Sequence, residues 1–204
     1  MSTPAEELPI EHGFDIFAFW EEHQAKILLA IVLLVVVVGG YASLEITKAH
    51  KIAAAEAALA KASSVEQLQA VMKDYSGSIA AGNAAILLGG KLREEKKYDE
   101  SIAVLREFID KNPTHPFVGG ALLSIGTTQE AQGKQNEALD TYQQVSTKYN
   151  DSYSAPLALL AQANLQRVQG KTADARRSYE SLVSLYPESL LSQQAMQEMK
   201  VLKK

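Results

Sequence analysis

The residue types that carry most enzyme and metal chemistry are sparse in this chain of 204 residues. It contains no cysteine, which excludes a thiol nucleophile, a cysteine-ligated zinc or iron–sulfur site and a disulfide scaffold. The histidines stand far apart, at His12, His23, His50 and His115. Because no two of them have the spacing of a ligand pair, we expect no metal site.

Carboxylates are frequent, and the densest group comprises Glu94, Glu95, Asp99 and Glu100. Two carboxylates can work as general acid and base, but charges clustered at helical spacing usually form a solvated helix face. No HExxH, GxGxxG, Walker A, GxSxG or calcium-loop motif occurs. We therefore predict no catalytic residue, no cofactor and no small-molecule substrate: the chain is not expected to be an enzyme.

The formal net charge of −4 is distributed unevenly. Residues 1–26 hold six acidic side chains and one lysine, whereas residues 27–44 hold no side chain that is charged at neutral pH, so the remainder is nearly neutral. With only 20 basic residues, the chain lacks the positive field that a phosphate backbone requires, which argues against a nucleic-acid partner.

An uncharged run, ILLAIVLLVVVVGGYASL, extends from Ile27 to Leu44. As a helix its 18 residues would rise about 27 Å, close to the thickness of a bilayer core. Twelve of them are Ile, Leu or Val, which favours insertion by about 4 to 7 kcal/mol. We predict one transmembrane helix at 27–44, between an acidic tail at 1–26 and a domain at 45–204.

Two alternatives to an uncleaved span stay open. A buried core helix of this length would normally have a polar face. A cleavable signal peptide fits the small residues Gly40 and Ala42, which precede Ser43, although the acidic leader and the long apolar run do not suit one.

Aromatic residues precede the span, at Phe14, Phe17, Phe19 and Trp20. Aromatic rings prefer the level of the lipid headgroups, so we expect an interfacial segment here; an unordered tail with chance aromatics is the alternative.

The flanking lysines bear on orientation. Lys48, Lys51 and Lys61 follow the span and only Lys26 precedes it, which by the positive-inside rule favours a cytoplasmic C-terminal domain. The bias is small, and long domains can translocate despite it.

After the span, the sequence repeats itself at a shift of 37 residues. Small residues recur in two columns and large residues in two more: Gly89, Gly126, Ala163; Ser64, Ser101, Ala138, Ala175; Leu68, Leu105, Tyr142, Tyr179; Val71, Phe108, Val145, Leu182. Small residues permit two helices to cross closely, and large residues at helical spacing bury against the next unit. Stacked helical hairpins are therefore expected.

The turns agree with this division. Gly133 and Gly170 suit left-handed helix ends inside the hairpins, while Pro113, Pro156 and Pro187 mark the boundaries between units. A final helix over residues 189–204 is expected to cap the array, with Leu191, Ala195, Met199 and Leu202 as its apolar stripe.

These columns resemble the tetratricopeptide repeat. The segment QGKTADARRSYESLVSLYP carries Gly170, Ala175, Tyr179, Leu182 and Pro187 at the offsets of that family. The resemblance covers about 82–187 plus a degenerate first unit; Gln129 and Gln166 replace the usual tyrosine and Asn150 replaces a proline. It implies an all-α fold, a transmembrane helix followed by an α-solenoid of antiparallel helix pairs.

In such arrays the first helix of each hairpin lines a concave groove that binds proteins. Carried over by column, the groove rows are Asn83, Gly120, Leu157; Ile86, Leu123, Leu160; and Arg93, Glu130, Arg167. Only Asn164 matches a position with which related arrays grip a terminal carboxylate. The apolar middle row suits an extended apolar or mixed segment, or serves only for packing.

The whole layout resembles membrane-anchored tetratricopeptide proteins of bacteria, in particular the ancillary subunits of the SecYEG translocon. That resemblance implies a single-pass protein of the inner membrane with a periplasmic repeat domain, whose partners are translocon components, chaperones or unfolded segments. A scaffold for envelope or cell-division machinery, without chaperone activity, is the alternative.

Overall fold

The computed structural model describes residues 16–202, and these divide between two units that meet between Lys51 and Ile52. The N-terminal unit holds most of the first helix, and the C-terminal unit holds the rest of the described chain. The predicted tail before residue 16, with Phe14 and His12, and the last two lysines lie outside the described residues. Over 16–202 the structure is helical, without strands: α1 Ile16–Lys61, α2 Val65–Asp74, α3 Ile79–Glu94, α4 Tyr98–Lys111, α5 Val118–Ala131, α6 Gln135–Lys148, α7 Ala155–Val168, α8 Thr172–Leu185 and α9 Leu190–Val201.

The N-terminal unit consists of α1 up to Lys51, and its side chains are almost all exposed. The segment Phe19–Lys61 contains a stretch with a mean hydropathy of 2.8, none of which is buried in the protein. It is therefore long and apolar enough to be a candidate membrane span, a test that a signal sequence near an N-terminus also passes. The predicted interfacial residues Phe17, Phe19 and Trp20 lie in the first turns of α1 and are exposed.

The C-terminal unit is a row of antiparallel helix pairs. The last ten residues of α1 pack with α2, and α3–α4, α5–α6 and α7–α8 form the next three pairs, with α9 against α7 and α8. Each first helix contacts the first helix of the next pair, from α3 to α5 to α7 to α9. The predicted fold class, an array of helical hairpins with a capping helix, is confirmed.

The large columns form the core of this unit. Three clusters of buried apolar residues follow one another along the array, centred on Leu88, Tyr142 and Tyr179. Every member of the two predicted large columns is buried, from Leu68 and Val71 in α2 to Tyr179 and Leu182 in α8. Burying such side chains between pairs stabilises the array, since no pair covers its own apolar face.

The hairpin turns share one backbone geometry. Gly133 and Gly170 have φ of 80° and 74°, as predicted, and in both turns a lysine N–H bonds back to a glutamine carbonyl five residues earlier. The first hairpin makes the same bond, from Lys97 to the carbonyl of Leu92 at 2.8 Å, but there the left-handed residue is Lys96, with φ of 60°. A lysine thus occupies a position that favours glycine.

The first pair departs from the pattern at Ser64. This residue aligns with the small crossing residues of the other second helices, but it is the N-cap of α2 and lies outside the helix. Its side chain accepts from the backbone N–H of Gln67, whose side chain accepts in return from the N-cap N–H, which forms a capping box. The helix α2 therefore begins later in the repeat than α4, α6 and α8.

The two glutamines that replace the expected tyrosine bond to hydroxyls in the partner helix. The Thr141 hydroxyl donates to Gln129 Oε1 at 2.7 Å, and the Ser178 hydroxyl donates to Gln166 Oε1 at 2.8 Å. Each buried or half-buried amide oxygen is thereby satisfied within its own hairpin. The departure is compensated locally and leaves the helix pairing intact.

Candidate functional site

The predicted groove lies on the first helices α3, α5 and α7. The residues of its middle row, Ile86, Leu123 and Leu160, are half-buried on successive helices. Ile86 and Leu123 pack against the central core cluster, and Leu160 packs against the C-terminal one. The structure therefore brings the middle row together as an apolar strip that belongs partly to the core and partly to the surface.

The row nearest the N-terminal ends of these helices is less uniform than predicted. Asn83 is half-buried and Leu157 is 38% exposed, so both remain accessible. Gly120 is buried, because the side chains of Tyr153 and Ile86 cover it. A β-carbon at Gly120 would collide with the Tyr153 hydroxyl and lie 3.1 Å from Ile86 Cδ1. Gly120 is therefore not an open groove position, because the ring of Tyr153 packs on it.

The third row carries the charges of the groove, and each is engaged by the protein itself. The Arg93 guanidinium donates to the Thr127 hydroxyl at 2.9 Å, in the next first helix. Glu130 accepts a hydrogen bond of 2.9 Å from the Tyr142 hydroxyl. Arg167 lies with Nε 3.9 Å from a carboxylate oxygen of Glu198 in α9. Charged groups therefore gather at the end of the groove where the first helices finish.

Asn164 is also engaged, since its Oδ1 accepts from the Tyr179 hydroxyl at 2.6 Å. Burial raises the pKa of Tyr179, and both burial and the hydrogen bond to Glu130 raise the pKa of Tyr142. Both hydroxyls therefore stay protonated at neutral pH and act as donors. They fix two polar side chains on the groove surface by anchoring them to the second helices.

Two groove residues were missed by sequence reasoning. Leu87 is 54% exposed in α3, and Tyr153 is 55% exposed in the turn before α7. Helical spacing could have identified Leu87, because it lies four residues after Asn83 and three before Gly90 and so shares their helix face. No repeat column identifies Tyr153, because the corresponding position in the preceding turn is a proline, Pro116.

No cluster of three or more His, Asp or Glu side chains that could hold a metal ion is found within residues 16–202. His23 stacks on Phe19, His50 is exposed in α1, and His115 is packed between two turns of the array. Burial raises the pKa of Tyr142 and Tyr179, which anchor groove residues, and of Tyr153, which packs in a turn. These groups position side chains, and the described part of the groove assembles no acid–base pair.

The sequence profile of the tetratricopeptide repeat matches residues 121–152 and 157–189, which cover most of α5 to α8. The array contains tetratricopeptide repeats. The pair α3–α4, outside the matched ranges, repeats the same crossing and the same hairpin turn one period earlier. Tetratricopeptide repeats are generally protein-interaction modules without enzymatic activity.

Among solved structures, the chain is similar to one from a T3SS complex of Aeromonas hydrophila, with 19% identity and a TM-score of 0.51. The match covers 74% of this chain and 95% of the other. At this identity the likeness shows a similar fold alone. Among curated proteins, no sequence relative of this chain is found.

Proposed function

We propose that this protein is a membrane-anchored interaction module whose tetratricopeptide groove binds extended apolar or mixed polypeptide segments, without catalysis. The carrying observation is the apolar strip of Ile86, Leu123 and Leu160, which successive first helices present next to the exposed Leu87 and Leu157. A continuous apolar surface on adjacent helices favours side chains of a peptide partner. The side chains of Arg93, Glu130 and Asn164 are hydrogen-bonded within the protein.

The membrane anchor in this proposal is the segment 27–44 of α1. It is exposed at every residue from Leu28 to Leu44, and no charged side chain interrupts it. Tethering the array at a membrane raises its effective concentration near other membrane proteins. The anchor therefore favours partners that are themselves membrane-bound or that emerge from a membrane complex.

The more specific proposal is an accessory factor of the Sec translocon and the periplasmic chaperone network, in the inner membrane of a bacterium. It rests on the layout of tail, single span and repeat domain, and on a groove suited to emerging chains. The test is recovery of partners on the full chain from detergent-solubilised membranes. Translocon subunits or periplasmic chaperones should be recovered, and their absence would refute this specific version.

Groove variants sharpen that experiment. Leu123→Lys and Leu160→Glu place charges in the apolar strip and should abolish recovery. Because both side chains are half-buried, Leu157→Lys serves as a variant at a more exposed position, with less risk to folding. Leu185→Lys, at an exposed position of the second helix α8 and outside the predicted groove rows, is the matched control and should retain every partner.

Orientation is tested separately, by protease accessibility of the repeat domain in intact cells and in spheroplasts. The proposal requires a periplasmic domain, protected in intact cells and cleaved in spheroplasts. A cytoplasmic domain, as the lysines after the span would favour, would eliminate the translocon–chaperone version. It would leave the groove itself as a protein-binding surface.

A scaffold for envelope or cell-division machinery is the second candidate, and the internal hydrogen bonds of Arg93, Glu130 and Asn164 favour it, since they make the groove surface rigid. Competition with a reduced, unfolded polypeptide separates the two functions. A chain-handling module should release its partner, whereas a scaffold with one folded partner should not.

A further inference from the structure

Tyr153 is the largest exposed side chain at the groove and comes from a turn, between α6 and α7. Its hydroxyl end lies directly over Gly120 in α5, and its Cζ would be 3.2 Å from a β-carbon at that position. The ring also packs edge-on against Phe117, with centroids 5.8 Å apart. Tyr153 is therefore held in one place at the floor of the groove while more than half of its surface stays exposed.

The hydroxyl of Tyr153 has no hydrogen-bond partner among the described residues, in contrast to those of Tyr142 and Tyr179. Partial burial raises the pKa of Tyr153, so the hydroxyl is protonated at neutral pH. A fixed ring with an uncommitted donor is the combination that makes tyrosine a frequent anchor residue in protein interfaces.

The groove rows nearest this ring carry no charged side chain, and the acidic residue of its own turn, Asp151, does not contribute to the raised pKa of Tyr153. The neighbouring positions in the repeat rows are occupied by Asn83, Ile86, Leu157 and Leu160, and the charged side chains lie at the opposite end of the groove, with Arg93. A charged partner side chain placed here would lose hydration without gaining an ion pair. An uncharged aromatic side chain would instead bury its surface against Ile86 and Leu157 and pack against the ring of Tyr153.

We infer that Tyr153 is the specificity-determining residue of the groove, and that it selects extended polypeptide segments carrying an uncharged aromatic side chain. This inference rests on the proposed function, because it names the partner chemistry of the same groove. The Tyr153 hydroxyl donates to a backbone carbonyl of the bound segment, and the aromatic side chain of that segment occupies the space between Tyr153, Ile86 and Leu157.

The test measures fluorescence anisotropy of labelled nine-residue peptides with the full chain in phosphatidylcholine nanodiscs. Each peptide is an uncharged Gly/Ser/Asn sequence with one central Phe, Leu or Lys, and empty nanodiscs correct for lipid partitioning. Wild type should bind the Phe peptide about threefold to tenfold more tightly than the Leu peptide, and the Lys peptide most weakly. Tyr153→Leu should abolish the preference for Phe over Leu.

Two further variants retain Tyr153 and so test its role without removing the side chain. Gly120→Ala retains Tyr153 but displaces its ring, because the added β-carbon would collide with the hydroxyl. The preference for Phe over Leu should therefore fall, although alanine favours the helix. Leu190→Ala is the matched control: Leu190 occupies the same repeat position as Tyr153, is 81% exposed and is the first residue of α9. It should bind like the wild type.

The two levels of the proposal fail differently. If Tyr153→Leu keeps the wild-type preference for Phe while circular dichroism shows a folded array, the role of Tyr153 is refuted and groove binding stands. If the wild type binds none of the three peptides, both the role of Tyr153 and the binding of extended segments are refuted.

Discussion

A β-carbon on Gly126 would lie 2.5 Å from Cε1 of Tyr142, so the glycine of α5 and the tyrosine of α6 occupy one shared space. The ring of Tyr142 lies where a side chain on Gly126 would be, and its hydroxyl reaches Glu130 on the groove side. Gly89 and Leu105 form the same contact one repeat earlier, where the β-carbon would lie 2.8 Å from Leu105 Cδ1. Small residues in the first helices thus leave room for the large side chains of the second helices. In the later repeats those large side chains are tyrosines, whose hydroxyls bond to Glu130 and Asn164 on the groove surface.

Gly126→Ala should destabilise the array. Overpacking against the buried ring of Tyr142 costs about 1 to 3 kcal/mol, which exceeds the roughly 1 kcal/mol that alanine gains over glycine in a helix. Urea unfolding of the full chain in detergent, followed by circular dichroism, measures the difference. Gly90→Ala is the control, because its nearest neighbouring atom would be 3.9 Å away, and it should raise stability. A stabilised Gly126→Ala would contradict the shared-space account.

Lys96→Gly should stabilise the first hairpin. Lys96 has a φ of 60°, which costs a residue with a side chain roughly 1 to 2 kcal/mol. Glycine removes this strain, but its greater backbone freedom in the unfolded chain offsets part of the stabilisation. We expect a net increase of about 0.5 to 1 kcal/mol in the free energy of unfolding. The reciprocal Gly133→Lys should lower it by a similar amount, since nothing lies within 4 Å of a β-carbon there and only backbone strain acts. Equal stabilities for all three proteins would argue against strain at Lys96.

Stability should fall above about pH 10, the ordinary pKa of tyrosine. Burial and the bond to Glu130 raise the pKa of Tyr142 in the folded state, so at high pH the unfolded chain releases a proton that the folded chain retains. Deprotonation then favours unfolding, and the contribution of Tyr142 is fully present below pH 10. Tyr142→Phe removes this contribution and should make the alkaline loss shallower by up to about 1.4 kcal/mol per pH unit. Unfolding titrations at pH 8 to 11 measure the slope.

His115→Ala should weaken the junction between the first two complete hairpins. The backbone N–H of Phe117 donates to His115 Nδ1 at 3.1 Å, so Nε2 carries the proton and donates to the carbonyl of Ser78 at 3.0 Å. Losing both bonds should cost about 1 to 3 kcal/mol in the free energy of unfolding. His50→Ala, at an exposed site in α1, is the control and should change stability by less than about 0.5 kcal/mol. Equal effects of the two substitutions would rule out a role for His115 in the junction.

Much of the fold follows from spacing alone. The period of 37 residues aligns Leu105, Tyr142 and Tyr179, and the same period returns in the structure as hairpins with one turn geometry. Local chemistry explains why such elements are predictable: proline ends helices, glycine accepts positive φ, and apolar residues at helical spacing must be buried. Ser64 shows where this reasoning stops, because a serine that matches the small column also caps a helix, and only the surrounding backbone distinguishes the two roles.

The candidate groove was predictable only in part. Columns identify which residues of the first helices share a face, and so they place Ile86, Leu123 and Leu160 on one strip. They cannot show that Arg93 bonds to Thr127, because that contact joins helices of different repeats and depends on how far apart the hairpins stack.

By itself, the sequence determined the apolar run that could cross a membrane, the helical hairpins and their boundaries, because these depend on composition and on residues close together in the chain. Only the tertiary structure decided which groove positions are open. In the sequence, a glycine at position 120 suggests an open position in the groove. In the folded array the ring of Tyr153, which lies 33 residues further along the chain, packs on it. That contact depends on how α5 packs against the turn before α7, and no repeat column records it.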